Sequence, residues 1–360
     1  MRKSFHCLKS LYRGGVETLV MNWYRYTDTS KYMFDFGLSN DEGKEFNEEI
    51  AKLGGHIFVV DKNLSIWKKF TYLFRLFYTL KKNGPYHTLF AHEQCFGGLS
   101  CMVAFLAGIP KRVTVAHWAM VYQSNKFIQW FYRLLCRLFV TDCLAVSSNA
   151  GLIQYGKNIS FTVIRTGIDI SKFSYQPKVR LQMRSELGID DNTLVIGNVS
   201  RLTADKNISF LLDIFEIIHR IHPNSIFLQC GEGDQLQILK NKTAKLNLTP
   251  YVLWQGNCPN VQNYYQAMDA FVFPSELEGL GIVAIEAQCA GLPCFISDGV
   301  PAEAVLCNTL QIPLKESSQK WAELILEKIK NFSRQDTSAL IKKAGFDIKD
   351  AAKFIEQNYL

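Results

Sequence analysis

From Asn192 onward the chain repeats one unit: a short run rich in Val, Ile and Phe, followed by a segment with apolar residues at helical spacing. "TLVIGNVS" (193–200) precedes the helical "NISFLLDIFEIIHRIHP". "SIFLQCGEGD" precedes a polar helix over about 235–247, and "YVLWQG" precedes "NVQNYYQAM". "AFVFPS" precedes a helix from about Gly281 to Ala290, stopped by Gly291 and Pro293. Strands apolar on both faces, each answered by a crossover helix, predict a parallel sheet covered on both sides. Little else accommodates this pattern.

The first 165 residues show a looser version. A weak strand (4–9) and a helix (14–27) lead into "FDFGLS", "HIFVVD", a long helix (64–82), "HTLFAH" and a helix (97–107). "RVTVAH", a helix (125–138), "CLAVSS" and "FTVIRTG" complete it. The expected class is therefore α/β with two Rossmann-like domains facing each other across a cleft, residues 1–170 and 171–345. A closing helix over about 346–360 could pack back on the first. The stretch from Thr166 to about Asn192, with Gly167, Pro177 and Gly188, is expected to be the connection.

Composition excludes several classes. Hydrophobic residues make up 48% of the 360 and charged residues 20%, which fits a folded chain with a large core rather than a disordered one. The ten cysteines show no Cys-x-x-Cys pair and no zinc-finger spacing, so they are expected to be reduced, without a metal or disulfide framework. The opening MRKSFHCLKS lacks the apolar core of a signal peptide, and no apolar run approaches about 18 residues. A cytoplasmic protein without a membrane span is the expectation.

The stretch "FPSELEGLGIVAIEAQCAGLP" concentrates candidate chemistry. In an open parallel sheet the ligand crevice lies at the carboxyl ends of the strands, where helices present their N-termini. Glu278 falls in the loop after an apolar strand, and Glu286 about two turns along the next helix. Gly279 and Gly281 leave amide N–H groups bare for an anion. Ionised carboxylates accept hydrogen bonds from hydroxyls. A nucleotide sugar, with sugar hydroxyls, a diphosphate and ribose hydroxyls in line, fits this layout, with Glu278 on the sugar and Glu286 on the ribose. Taken alone, the two acids also fit a first-turn acid favoured by the helix dipole and an ordinary solvated helix glutamate.

Arg201 and Lys206 follow another strand in "GNVSRLTADKN", where two cations can hold a diphosphate and stabilise it as it departs. Gly231 in "QCGEGD" and Gly256 in "WQGNCPNV" end the next two strands, so that four strand ends are expected to converge on one crevice. No Asp-x-Asp occurs in the sequence, so a metal-bridged diphosphate is not expected, and no cofactor is.

The set "SRLTADKN", "GEGD", "WQGNCPNVQNYYQAMDAFVFPSELEGLGIVAIEAQCAGLP" and the opening "RGGVETLVMNWYR" resembles the GT-B glycosyltransferases of family four, and within them bacterial capsule and exopolysaccharide enzymes. The resemblance implies that Arg201 and Lys206 hold the diphosphate and that Glu278 and Glu286 contact donor sugar and ribose. The backbone of Gly279, Leu280 and Gly281 would assist, and Gly14 and Gly15 would form a first-domain loop closing on the donor. It also implies retention of anomeric configuration, with the departing phosphate accepting the incoming hydroxyl's proton. A strand-end histidine near the transferred sugar corresponds to His117, whereas Ala119 stands where the family often has a second histidine. The implied donor is a nucleotide sugar, a UDP-sugar first among them, and the implied acceptor a lipid-linked glycan. The alternative is a catalytically silent subunit of the same fold that binds glycan or a partner.

Charge is uneven: residues 51–150 carry twelve Lys or Arg against three Asp or Glu, and residues 201–360 fifteen against eighteen. In "LSIWKKFTYLFRLFYTLKK" (64–82), Ile66, Trp67, Phe70, Leu73, Phe74, Phe77 and Leu80 recur at helical spacing among basic residues, and "KFIQWFYRLLCRLF" (126–139) has a similar make-up. Such helices can lie on the inner face of an anionic membrane, and equally can pack on their own sheet. No nucleic-acid motif accompanies the charge, so no nucleic-acid partner is expected.

Overall fold

The computed structural model describes residues 1–12, 14–60, 68–117 and 126–360. The chain divides into two units, Met1–Gly167 with Phe346–Leu360, and Ile168–Gly345.

Among the described residues the first unit holds seven strands: β1 Arg2–Leu8, β2 Tyr32–Leu38, β3 Ile57–Val59, β4 Thr88–Ala91, β5 Lys111–Ala116, β6 Asp142–Ala145 and β7 Thr162–Val163. They pair in the order β3-β2-β1-β4-β5-β6-β7, parallel throughout. The strand that reads weakly in the sequence, β1, is an interior strand of this sheet, paired with both β2 and β4. Its pattern is weak because Ser4 and His6 are polar, yet both side chains are buried. The closing helix Ile348–Tyr359 packs against the helix Gly15–Tyr26, and the Thr88 hydroxyl donates to the Tyr359 carbonyl at 2.5 Å.

The second unit holds β8 Leu194–Val199, β9 Ser225–Cys230, β10 Val252–Trp254, β11 Ala270–Phe273, β12 Cys294–Ser297 and β13 Thr309–Ile312. Their order is β10-β9-β8-β11-β12-β13, again parallel. Alternate residues face alternate sides. Ile196, Phe227, Val252, Val272 and Phe295 join Leu211, Phe215, Trp321 and Ile325 from two packed helices, Ile208–Ile221 and Ser318–Ile329. Burying each such side chain contributes roughly 1.5–3 kcal/mol. On the other side Gly197 leaves room for Met268, whose sulfur would lie 2.1 Å from any Cβ added there.

The stretch expected to be a connection is instead part of the second unit. Ile170–Phe173 and Pro177–Glu186 are helices, the latter packed on the helix Val261–Ala267. The reason is electrostatic as well as apolar. Arg184, 1% exposed, donates to the carbonyls of Ala267, Asp190 and Thr193 and pairs with Asp269 at 3.3 Å, while Arg180 meets the same carboxylate at 2.6 Å. Asp269 also accepts the Val195 amide at 2.8 Å, tying the helix to the first strand of the sheet. The described cysteines are free, most of them buried. Asp269→Ala leaves a buried guanidinium short of its counter-charge and is expected to cost about 3 kcal/mol of stability, read by urea unfolding.

Candidate active site

In each sheet the strand order reverses at one place, between β1 and β4 and between β8 and β11. Because parallel crossovers keep one hand, the connections on either side of such a point leave in opposite directions, opening a crevice at the carboxyl ends.

The second unit builds that crevice densely. Lys206, in the loop after β8, meets Glu278, in the loop after β11, with Nζ 2.8 Å from Oε1. Asp205 lies on the same ammonium at 3.0 Å. The side chains of Lys206 and Glu278 are only 12% and 13% exposed, so the pair is screened far less than a surface ion pair. Backbone bonds stitch the loops together: the Glu276 amide donates to the Asp205 carbonyl, the Glu278 amide to Gly299, and the Leu202 amide to Glu232. Inside the sheet the Asn198 amide side chain donates to the Val272 carbonyl at 2.7 Å, joining β8 to β11 just below the crevice. Arg201 is exposed at the rim of the same β8 loop.

Three of the glycines have a backbone reason to be there. Gly281 caps the helix Ile282–Cys289 with φ +83, a left-handed conformation, and no side chain caps that helix start, so its first amides stay available to an anion. Gly231 has φ +126, and a Cβ there would sit 1.9 Å from the Ser200 carbonyl. Gly256 has φ +63 and accepts the Gly231 amide at 2.7 Å, joining the ends of β9 and β10. Beside them a cavity of about 320 Å³ is lined by Gly231, Glu232, Gly233, Leu236, Lys240, Trp254 and Gly256. Gly279 lies between Glu278 and Leu280; the Leu280 side chain is buried, so only its main chain can face a ligand.

Glu286 is not the ordinary solvated glutamate that its position on a helix also allowed. It is half-buried, and Tyr265, fully buried, donates its hydroxyl to Oε2 at 2.9 Å. Burial pushes the carboxyl up to about 7, with the Tyr265 hydrogen bond opposing the rise. Near neutrality Glu286 therefore divides between carboxylate and acid, and only the carboxylate is the acceptor expected from the sequence.

In the first unit, Gly14 precedes the helix Gly15–Tyr26 in extended conformation, and a Cβ there would strike the Glu17 carboxylate at 2.4 Å. Nothing lies within 4 Å of the Cβ position of Gly15. His117 is the residue after β5, half-buried, with Nε2 2.9 Å from Nδ1 of His92. Its neighbour at Ala119 lies outside the described residues. Sequence reasoning passed over His6, His92 and Tyr265. One signal was available: β4 and β5 both end in Ala-His, "HTLFAH" and "RVTVAH", which on neighbouring parallel strands predicts two imidazoles side by side.

A glutamate whose folded pKa is raised opposes folding once the unfolded chain has ionised. For Glu286 the penalty is absent below about pH 4.5, grows as pH rises, and is complete above about pH 8. Glu286→Gln is therefore expected to match wild-type stability near pH 4.5 and to exceed it by about 2–3 kcal/mol at pH 8.5, in urea unfolding without ligand. An unchanged difference across this range would contradict the raised value.

Comparison with known proteins agrees with this geometry. Residues 179–344 match the family described as Glycosyl transferases group 1. The glycosyltransferase EpsF of Bacillus subtilis is 30% identical over 334 residues, covering 90% of this chain and 87% of the relative. The UDP-Gal:alpha-D-GlcNAc-diphosphoundecaprenol alpha-1,3-galactosyltransferase of Escherichia coli is 30% identical over 251 residues, 66% of this chain and 64% of its own length. Among solved structures, Anabaena HepE in complex with UDP and glucose superposes with a TM-score of 0.80 at 20% identity, over 99% of both chains, which places the fold among GT-B enzymes. The two Rossmann-like units, the crevice at the β8–β11 reversal and these relatives together make this chain a glycosyltransferase that belongs to the Glycosyl transferases group 1 family.

Proposed function

We propose that the chain transfers a hexose-type sugar from a nucleotide sugar, UDP-linked first among the candidates, to a lipid-linked glycan in capsule or exopolysaccharide synthesis. The observation that carries the donor reading is the ion pair between Lys206 and Glu278 across the β8–β11 reversal. An entering diphosphate carries at least two negative charges and competes for the ammonium. Lys206 then turns to phosphate, and the released Glu278 carboxylate accepts hydroxyls of the donor sugar. Arg201 adds a second cation, and the start of the helix Ile282–Cys289, which no side chain caps, completes the phosphate cradle. Glu286, ionised, takes the ribose hydroxyls. His117 is assigned to a hydroxyl of the transferred sugar, and the loop at Gly14 and Gly15 to covering the donor.

In a retaining transfer the bond from the anomeric carbon to the phosphate oxygen breaks and the acceptor oxygen bonds on the same face. The acceptor's proton passes to the departing phosphate. Lys206, Arg201 and the helix start would stabilise the charge gathering on that phosphate. Both cations stand in strand-end loops, and the sequence has no Asp-x-Asp, which supports a transfer independent of divalent metal. UDP appears in the names of two of the compared proteins, and a diphosphoundecaprenol acceptor in one.

A basic, aromatic surface supports a lipid-borne acceptor. On the helix Lys126–Phe139, Phe127, Trp130 and Leu138 are 64%, 57% and 62% exposed, and on the adjoining helices Phe74, Tyr78, Phe105 and Leu106 are exposed as well. Arg137 is exposed on the same helix, and Arg112 sits over the Phe105 ring. We assign this face to the inner surface of the cytoplasmic membrane, with the ring edges in the interface and the cations on anionic headgroups. The part of the basic segment at residues 61–67, with Ile66 and Trp67, lies outside the described residues.

Thermal shifts in EDTA with UDP, GDP, ADP and CMP test the donor. UDP at about a hundred times its dissociation constant is expected to stabilise the protein by roughly 2.7 kcal/mol. Lys206→Ala and Glu286→Ala should remove most of that gain. If no nucleotide stabilises a folded protein, the silent-subunit reading takes its place. For the membrane face, flotation with phosphatidylglycerol vesicles should retain the wild type. Phe127→Glu with Trp130→Glu should release it, while leaving the UDP shift intact. Equal binding to neutral phosphatidylcholine vesicles would argue against the electrostatic part.

A further inference from the structure

The first unit contains a string of hydrogen-bonded imidazoles of which the donor reading uses only the last, His117. Ser4 Oγ lies 3.1 Å from Nε2 of His6, His6 Nδ1 lies 3.2 Å from Nε2 of His92, and His92 Nδ1 lies 2.9 Å from Nε2 of His117. The string crosses three adjacent parallel strands, running from the middle of β1 to the ends of β4 and β5. Ser4, His6 and Phe90, His92 are two residues apart on their strands and so share one face of the sheet. The His6 ring is held between Phe34 at 4.4 Å and Phe90 at 4.7 Å, nearly parallel to the latter, so its plane is fixed.

The protonation of such a string has few solutions. Burial pushes His6 and His117 down to about 3, and holds His92 below its ordinary value with help from its two imidazole neighbours, so all three rings are neutral. A neutral imidazole has one N–H and one bare nitrogen. Both nitrogens of His6 and of His92 are engaged, so each ring donates on one side and accepts on the other, and every link must point the same way. Among the described residues no carboxylate fixes that direction. Asp35, between Phe34 and Phe36, takes its bonds from His56 and Tyr86, and Glu93, next to His92, takes its bonds from Tyr72 and Ser100.

Ser4 fixes it. Its hydroxyl is 2% exposed and has His6 as its partner among the described residues. Were His6 to donate to it, the serine proton would be buried without an acceptor, and an orphaned buried donor costs more than a spare lone pair. The hydroxyl therefore donates, His6 and His92 each donate from Nδ1, and His117 accepts on Nε2 and keeps its proton on Nδ1. That nitrogen has no protein partner among the described residues.

We propose that Ser4, His6 and His92 act as a positioning relay that holds His117 as the Nδ1–H tautomer in one ring plane, presenting a fixed hydrogen-bond donor to an oxygen of the transferred sugar. The sugar contact rests on the proposed function; the tautomer does not. A neutral donor suits a group that must recognise a hydroxyl oxygen without bringing a charge of its own. The buried rings cost desolvation, and their function is to remove the choice of tautomer and rotation that a solvated histidine retains.

The full-length protein labelled with 15N-histidine, without ligand at pH 7.5, tests the relay through its long-range proton–nitrogen spectrum. The chain has seven histidines, and single His→Gln variants assign the three signals. All three are expected as the Nδ1–H form, and finding His117 as the commoner Nε2–H form would overturn the proposal. In His92→Phe, which keeps the volume, His117 should shift towards the Nε2–H form or a mixture. An unchanged His117 signal in that variant, with the remaining spectrum intact, would also overturn it. With a donor that the wild type turns over, His92→Phe should lower kcat about tenfold and change the donor KM by less than twofold. An unaltered kcat would refute the link to transfer. A protein that turns over no nucleotide sugar would count against the donor reading, and the ligand-free spectrum would still decide the relay.

Discussion

Everything in the second unit depends on one topological constraint: β8 and β11 are neighbours, and their chains leave the sheet in opposite directions. Had the strands followed one another in order, β9 and β10 would have stood between β8 and β11, and successive connections would have left in one direction without opening a crevice. The reversal holds the loops after β8 and β11 apart, and the Lys206–Glu278 ion pair spans the opening at 2.8 Å. A half-buried ion pair gives little stability after desolvation is counted. Here it keeps two groups of opposite charge oriented towards a space where a ligand carrying both anionic and hydroxyl groups can replace each by the other. The surrounding backbone bonds, from Asp205 to Glu276 and from Gly299 to Glu278, fix the loops so that this exchange need not reorganise the main chain.

The first unit uses its own reversal, at β1 and β4, in another way. The polar residues there lie within the sheet layer rather than in the loops above it, and they satisfy one another in a line. Ser4, His6 and His92 are tolerated in an apolar layer because each link uses one donor and one acceptor, leaving no polar atom of the line unpaired until His117. Buried polar networks are costly when incomplete, so one that ends at a half-exposed imidazole points to a role at that end. Glu286 shows the same economy: it is left half-desolvated with one hydrogen bond from Tyr265, a poor choice for stability that suits the proposed contact with ribose hydroxyls.

The sequence was read well where local chemistry and position coincide. The strands and helices of the second half follow from short apolar runs alternating with helical spacing. Gly231, Gly256 and Gly281 follow from strand ends where the backbone must turn with positive φ. Thr166 to Asn192 was read as a connection because its apolar residues are few. Arg180 and Arg184 instead dock it through a charge and carbonyls supplied about 80 residues later, a partner that no local pattern contains. β1 read as weak because a polar residue lowers the strand signal wherever its partner lies, and the partner of His6 is 86 residues away.

By itself the sequence determined the periodicities, and with them the class of fold and the two sheets; the strand-end residues it singled out are those proposed to meet a nucleotide sugar. These are short-range properties, set by which side chains are apolar and how far apart they stand along the chain. Only the tertiary structure decided which charges pair, which glutamate is desolvated and which histidines touch. Strand order brings together residues distant in sequence, and an ionisable group's state depends on the groups and the solvent around it in space. Glu278 and Glu286 are the same residue type eight positions apart; the fold gives one a lysine and the other a tyrosine in a half-buried site, and so gives them different chemistry.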